Sequence, residues 1–465
     1  MGGTADTTFS VTLRGSDSVP SDYKADGTQL ATSGSLTDSN TRVPYDTLSS
    51  GHSVTTSTAY RYHWVVIEPL TIDDDAFVSQ CEFFEASDKN YLAPCTANLP
   101  EIEIGQEADD LAHDYFNTVL YTGDTNSPRT ISGVGFEPGI TFLKPRSSGS
   151  TGMMFDDVRG AGSNKQLSMD GTSAEGLDGS YNSATYGFLS AFNSDGFVLT
   201  DGSTNGNWVN ADGTTFVSWN WKLGTAFSND ASDTSIGDID TTGQVDEDAG
   251  ISCFTYTGSG SAGDELKHGL TTVPHVIWAR RRNTGNSTVI YHHANTSAPE
   301  TDYLDLSNYN TTQDDSNLPW NDTAPTTSVI TVSSSNFVNA SSDTYVIWCW
   351  SERSSYSKFG SYIGNGNANG TFAHTGFPVA FTLIKRTDSI SNWYVHDNIR
   401  DTTNQRDNNS LLDAATSEGT SNIPIDFLSN GFKQVQSDSN LNVSGGTYIY
   451  MAFSSGTGFK YANAI

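Results

Sequence analysis

Short apolar runs of four to seven residues, rich in aromatic and β-branched side chains, recur along the chain between turns of Gly, Ser, Thr, Asn and Asp. That pattern predicts strands separated by tight turns. One phrase repeats: Asn210-Ala211-Asp212-Gly213-Thr214-Thr215-Phe216-Val217-Ser218-Trp219-Asn220-Trp221 is echoed at 339–350 and again at 442–453. In all three an aromatic (Phe216, Tyr345, Tyr448) stands six residues past the Asn (Asn210, Asn339, Asn442), so the chain contains a repeat.

Each copy opens on a strand ending at glycine, with Gly123, Gly258 and Gly364 placed where positive φ is available. About fifteen residues on comes a Pro-initiated apolar run ending in a basic residue: Pro138 to Lys144, Pro274 to Arg280, Pro378 to Lys385. Ser194-Asp195-Gly196-Phe197 and Ser429-Asn430-Gly431-Phe432 place hairpin chemistry before a further strand in the first and third copies, whereas the second has Thr327-Ser328-Val329-Ile330. Measured from Tyr to closing aromatic (121–221, 256–350, 362–453), the copies span 101, 95 and 92 residues, the size of a small β-sandwich with its own core. Trp219 and Trp221, Trp348 and Trp350, and Met451 and Phe453 stand two apart and face one side of a strand. They read as core, worth roughly 1.5–3 kcal/mol each when buried, with a glycan-stacking platform as the alternative.

The expectation is therefore an all-β protein, a tandem array of three related β-sandwich domains after a β-rich N-terminal domain. The boundaries are 1–116 (attachment domain), 117–224, a linker at 225–250 rich in Asp, Ser, Thr and Gly, 251–353 and 354–465. Only seven residues, 351–357, separate the second and third copies, so those two should sit rigidly together. In the N-terminal region Thr7-Thr8-Phe9-Ser10-Val11-Thr12-Leu13 alternates as a half-buried strand does, and Tyr60-Arg61-Tyr62-His63-Trp64-Val65-Val66-Ile67 is the best strand. Residues 14–58 read as loops and short strands, and the acidic stretch 103–116 as a short connecting helix.

Composition narrows the function classes. With 54 acidic against 23 basic residues the formal net charge is −31, which repels phosphate backbones and anionic membranes. No run approaches the length of a membrane span, and the N-terminus carries neither a secretory signal nor a myristoylation pattern. The expected partners thus include neither nucleic acid nor a membrane. Four cysteines, Cys81, Cys95, Cys253 and Cys349, are too few for a disulfide scaffold and lack metal spacing. Cys253 and Cys349 fall on the first and last strands of one copy and read as buried free thiols; pairing of either couple stays open.

The candidate chemistry is thin. No nucleophile elbow, phosphate loop or zinc-protease motif occurs. Gly364-Asn365-Gly366-Asn367-Ala368-Asn369-Gly370 reads as a turn, and Asp238-Ile239-Asp240-Thr241-Thr242-Gly243 begins like a calcium loop but has Ala249 where Glu is required. His292 and His293, adjacent on a strand, point to opposite faces and suit no single metal. Asp156-Asp157 and Asp314-Asp315 are carboxylate pairs of the kind a glycosidase uses, yet adjacency does not set the separation required. No catalytic, cofactor-binding or metal residue is assigned, no cofactor is expected, and calcium binding by the acidic loops stays open.

Several stretches resemble one known family. Leu92-Ala93-Pro94-Cys95-Thr96-Ala97-Asn98-Leu99-Pro100, the run 114–123, Phe216-Val217-Ser218-Trp219-Asn220-Trp221-Lys222, Tyr356-Ser357-Lys358-Phe359-Gly360-Ser361-Tyr362, Thr447-Tyr448-Ile449-Tyr450-Met451-Ala452-Phe453 and Phe459-Lys460-Tyr461-Ala462-Asn463 are similar to virion proteins of marine tailed phages. These are described as tail or tail-fibre-like, often with a SPRY-type domain before the repeats. The resemblance covers roughly 92–465; residues 1–91 carry only a faint SPRY echo at 60–67, which favours a virion-docking domain there. The resemblance implies a non-enzymatic virion structural protein, a tail fibre or receptor-binding component, made in the host cytoplasm. The implied partners are other virion proteins through the N-terminal region, a host surface glycan or protein, and other copies of the chain, a trimer being favoured. A head-decorating protein, a stand-alone lectin-like adhesin and a depolymerase are the alternatives. The family offers no catalytic residues to carry over.

Overall fold

The computed structural model describes residues 8–16, 26, 28–32, 36–37, 62–69 and 111–455, save 180, 205–207, 316–317 and 420–422. The chain divides into two units, 1–101 and 102–465. In the first, strand Thr8–Ser16 pairs antiparallel with Tyr62–Pro69 along eight residue pairs, and with Thr28–Thr32 and Leu36–Thr37 on its other side. Both strands expected from alternation are therefore present. The segments around Cys81 and Cys95, the stretch 92–100 and the ending 459–463 lie outside the described residues.

The second unit is all-β, as expected. Each repeat builds an inner antiparallel sheet with its closing strand between the opening strand and the Pro-initiated one. In repeat one the order is Phe116–Thr122, Thr215–Lys222, Pro138–Pro145, Met153–Asp156, Leu167–Ser168. Repeat three follows it with Ser357–Ile363, Thr447–Phe453, Phe381–Arg386, Trp393–Asp397, Ser410–Leu411. Repeat two has Ile251–Thr257, Thr344–Trp350, Val276–Arg281, Val289–His292, Asp302–Asp305, ending on Gln313–Asp314. Outer sheets of two or three strands cover one face: Arg129–Ser132, Phe188–Asn193 and Gly196–Thr200; then Asp264–Lys267 with Val329–Val332; then Phe372–His374, Gly431–Gln434 and Ile425–Leu428. Between inner and outer sheets each repeat has its own apolar cluster, centred on Phe197, Ile330 and Phe432.

The opposite faces of the three inner sheets do not meet water. They pack on one another in a single core that takes Phe142, Trp219 and Trp221 from repeat one, Trp278, Trp348 and Trp350 from repeat two, and Phe381, Met451 and Phe453 from repeat three. Trp221 lies 6.4 Å from Trp350 and 5.6 Å from Phe453, ring centre to ring centre. A tandem array with independent cores is therefore only half of the arrangement: the repeats also close around a common centre. The reason is in the closing strands, which are apolar at both parities and so must be covered on both faces.

Three departures from the sequence reading are local. Residues 225–250 are not a bare linker: Thr225–Asn229 and Thr241–Asp246 form a hairpin that extends the inner sheet of repeat two. Phe227 and Val245 pack on that repeat's cluster, which gives this polar stretch its anchor. The stretch 103–116 yields a single turn of 3-10 helix, Ala112–Asp114, in its described part. Gly123, Gly258 and Gly364 do not use positive φ. Each lets backbone approach backbone: a Cβ there would stand 1.9, 2.3 and 2.3 Å from the carbonyl oxygens of Ala211, Ala340 and Val443. The hairpin turns are likewise shifted by one residue, with Ser194-Asp195 and Ser429-Asn430 as the loops and the glycine already in the strand.

Candidate functional site

Most residues with chemical potential are spent on the fold. Trp219, Trp221, Trp348 and Trp350 are at most 1% exposed, which rules them out as a glycan platform. Cys253 and Cys349 are buried and free. They sit on paired strands one register step apart, Cys253 opposite Trp348 and Cys349 opposite Ser252, so they face different cores. Burial pushes both thiols up, Cys253 further by the charge of Asp156. Asp238 and Asp240 accept the backbone N–H groups of Glu265 and Ala231 at 2.9 Å each, turning the calcium-like stretch into a structural turn. Asp314 is exposed and paired across the sheet with Asp302, while Asp315 accepts the Tyr303 hydroxyl at 3.4 Å. Among the described residues no group of three or more His, Cys, Asp or Glu could hold a metal ion, and no helix is long and apolar enough to cross a membrane.

The basic residues that end the Pro-initiated runs have a role that spacing alone could not reveal. Lys144, Arg280 and Lys385 are wholly buried, and each reaches into the neighbouring repeat. Lys144 donates to the carbonyl of Ala414 in repeat three at 2.8 Å; Arg280 to those of Gly171 and Ser173 in repeat one at 2.8 Å; Lys385 to that of Tyr309 in repeat two at 3.3 Å. The handoff is cyclic, one to three, two to one and three to two. Backbone bonds follow the same cycle: Glu418 N–H to Arg146 O, Glu175 N–H to Arg282 O, and Thr312 N–H to Thr387 O.

Two of these three joints carry a buried ionic chain. Between repeats one and three, Trp219 Nε1 donates to Asp397 at 2.9 Å, Asp397 pairs with Arg400 at 2.5 Å, and Glu418 links Arg400 at 3.0 Å to Arg146 at 2.8 Å. Between repeats two and one, Trp348 Nε1 donates to Asp156 at 3.2 Å, Asp156 pairs with Arg159 at 2.6 Å, and Glu175 links Arg159 at 3.3 Å to Arg282 at 2.6 Å. Asp156 of the carboxylate pair is thus a joint residue, and Asp157 accepts Gln244 at 2.7 Å. The third joint replaces the whole set by neutral groups: Met451 for the Trp, then His292, Asn295, Thr312 and Thr387, with Thr312 donating to Asn295 at 2.8 Å.

What remains for recognition is the far end of the body. Phe116, Ile251 and Ser357 pair with Trp221, Trp350 and Phe453 at one end of the three inner sheets. The chain enters there through Ala112–Asp114, and Ser454 leaves there, its N–H on Tyr356 O. At the opposite end lie the exposed turns at Asp212-Gly213, Ser341-Ser342 and Ser444-Gly445, each following a buried Asn. Those Asn residues pin a second turn beside the first: Asn210 takes the N–H of Asp124, Asn339 that of Ser259 and Asn442 that of Asn365.

Repeat three differs from the others at this end. Where repeats one and two place Thr122 and Thr257, it has Ile363, 64% exposed; where they place Thr130 and Glu265, it has Phe372, 42% exposed. The Phe372 ring lies over Gly431, whose missing side chain would stand 2.9 Å from it, and 6.3 Å from the His374 ring. Lys433, its cross-strand partner, donates to Asn369 of the Gly364–Gly370 turn. This patch, Ile363, Phe372, His374 and Lys433 beside an asparagine-rich turn, is the candidate contact site. Sequence reading named the turn but missed the patch, which shows only when the repeats are aligned strand by strand.

Fold and surface together define an all-β body of three cyclically interlocked repeats. The chain belongs to the family described as Domain of unknown function (DUF7483), which it matches over residues 112–456. No curated protein and no solved structure matches it.

Proposed function

We propose that the protein is a non-enzymatic structural component of a bacteriophage virion, a tail-fibre or receptor-binding part. In this reading residues 1–116 attach to other virion proteins and the three repeats hold recognition turns toward the host surface. The observation that carries it is polarity: the chain enters and leaves the repeat body at one end, and the exposed turns with the apolar patch of repeat three gather at the other. Recognition residues on turns held by a rigid scaffold are the usual arrangement for binding. The burial of the cysteines and tryptophans and the hydrogen bonds that hold Asp156, Asp157, Asp238 and Asp240 make the body a rigid support for such turns. The sequence resemblance to phage tail proteins supplies the setting.

Immunogold labelling of purified particles tests the location. Label at the tail or its tip is expected; label over the head would replace this reading with head decoration, and particles lacking the protein would end it. For contact with the host, the purified full chain is expected to compete with phage for adsorption. Phe372→Ala should weaken that competition several-fold while costing little thermal stability, since the ring is 42% exposed and stands outside the apolar cluster of repeat three. Equal competition by wild type and variant would remove the patch from the reading.

A further inference from the structure

The joint between repeats two and three is built on histidine where the other two use carboxylate and arginine. His292, fully buried, accepts the N–H of Ala294 on Nδ1 at 3.2 Å, so Nε2 carries the proton and donates to the carbonyl of Tyr450 in repeat three at 3.1 Å. His293 lies in the turn after the strand, not on the opposite face that alternation predicts, and puts Nε2 2.7 Å from the carbonyl of Phe359 in the opening strand of repeat three. Its ring stacks 5.5 Å from His292 and meets His275 edge-on at 4.7 Å. His275 accepts the N–H of Glu352 on Nδ1 at 3.2 Å.

We infer that the seam between repeats two and three is acid-sensitive: His292 takes up a proton only once its ring has left the Ala294 N–H and the buried seam, so acid favours the opened seam before it reaches the two carboxylate–arginine joints. The inference is independent of the proposed function. A proton added at His292 Nδ1 turns an acceptor that faces the Ala294 N–H into a donor facing a donor. It also places a buried cation beside His293 and His275, which disfavour it. The carboxylate of this seam, Glu352, is already committed, to Lys358 at 2.7 Å and to the Phe359 N–H at 2.9 Å, and stands 3.8 Å from His293. Arg353 and Lys358 add positive charge around His275. Accordingly burial, with His293 and His275, pushes His292 down to about 3; burial and the neighbouring cations bring His275 to about 4 despite Glu352. At the joint between repeats one and three the balance is reversed. Burial works to raise the Asp397 carboxyl, but the Arg400 charge and the hydrogen bonds from Arg400 and Trp219 outweigh it and hold it below its ordinary value. The Asp397 carboxyl of that joint therefore keeps its charge at pH values where an ordinary aspartate begins to lose it.

Hydrogen exchange of the full chain, followed by mass spectrometry from neutral pH to about 4.5 and corrected for intrinsic rate, reads each joint separately. Protection should fall about tenfold or more in peptides covering 289–295, 357–363 and 447–453 before it falls in 153–159 or in 215–222, the strand that carries Trp219 of the joint between repeats one and three. His292→Gln keeps an amide donor for Tyr450 and cannot titrate, so it should hold the seam closed at the lower pH. If that variant does not fold, His275→Gln, which keeps an acceptor for the Glu352 N–H and cannot titrate, should remove part of the same loss. His396→Gln, whose buried imidazole bonds Ile423 outside the seam, should leave the seam's profile unchanged. Simultaneous loss at all three joints, or a seam profile that the His292 or His275 variant leaves unmoved, overturns the inference. So does a His396 variant that moves the seam as far as the His292 variant.

Discussion

At the scale of single residues, the asparagine that marks each repeat is a fastener. Asn442, wholly buried, donates to the carbonyls of Asn367 at 2.9 Å and Gln436 at 2.6 Å and accepts the N–H of Asn365 at 3.0 Å. Asn442→Ala strips this bond from the buried Gln436 carbonyl and releases the Asn365–Asn367 turn, and we expect a loss of about 1–3 kcal/mol in urea unfolding. Each repeat adds a tyrosine hydroxyl on the carbonyl just before that Asn: Tyr121 on Val209, Tyr256 on Val338 and Tyr362 on Leu441. The thiols make a second residue-scale prediction. With Cys253 and Cys349 buried and their ionisation pushed up, peptide mapping after alkylation at neutral pH should find both unmodified in the native protein and both modified in denaturant. Labelling of either one at the rate of an exposed thiol would contradict the packing.

At the scale of elements, the closing strand does the most. In Thr344–Trp350, Tyr345, Ile347 and Cys349 pack into the cluster of repeat two while Val346, Trp348 and Trp350 enter the shared core. Trp350→Ala should cost about 3–5 kcal/mol and, because the ring touches Trp221 and Trp278, lower protection in repeat one as well. Phe432→Ala, confined to the cluster of repeat three, should loosen that repeat first. The ionic joints predict a further asymmetry. Glu418 joins repeats one and three, which have no direct chain connection, whereas repeats one and two are also tied by the hairpin at 225–246 and by Gln244 on Asp157. Glu418→Gln takes the carboxylate from Arg146 and leaves Arg400 with Asp397 alone, and a loss of about 1–3 kcal/mol is expected, larger than for Glu175→Gln in the same urea assay.

At the scale of the whole molecule, one shared core predicts that residues 112–455 unfold together rather than repeat by repeat, a single calorimetric transition for this unit. Acid should weaken it. Burial holds His268 and His396 at about 4, as it does His275, and His292 lower still. These groups are depressed on folding, so their contribution is complete above the ordinary histidine value near 6.5 and is lost as pH falls from there through about 4. Asp413, raised by burial to about 6, acts with the opposite sign, its contribution present in acid and lost as pH rises through 6. Burial raises Asp201, Asp246, Asp302, Asp305 and Asp426 in the same sense and less far; the four strongly depressed imidazoles outweigh these carboxyls and give a net fall in melting temperature between pH 6.5 and 4.

The repeat phrase, the all-β class and the strand positions were legible in the sequence because each rests on local chemistry: alternation, turn residues and the fixed spacing from Asn to aromatic. The burial of the tryptophans was legible too, since indoles two apart on a strand leave water together. The closed arrangement was not, although the closing strands carried the hint of being apolar on both faces. Which surface covers that second face is a long-range matter, settled only when Trp221, Trp350 and Phe453 meet. The basic residues after the Pro-initiated runs looked like ordinary strand ends, yet Lys144, Arg280 and Lys385 became staples because carbonyls 76 to 270 residues away in the chain converge on them. Local patterning thus determined what each repeat is; only tertiary packing decided that the three form one body, for a face too apolar for water has no sequence-neighbour large enough to cover it.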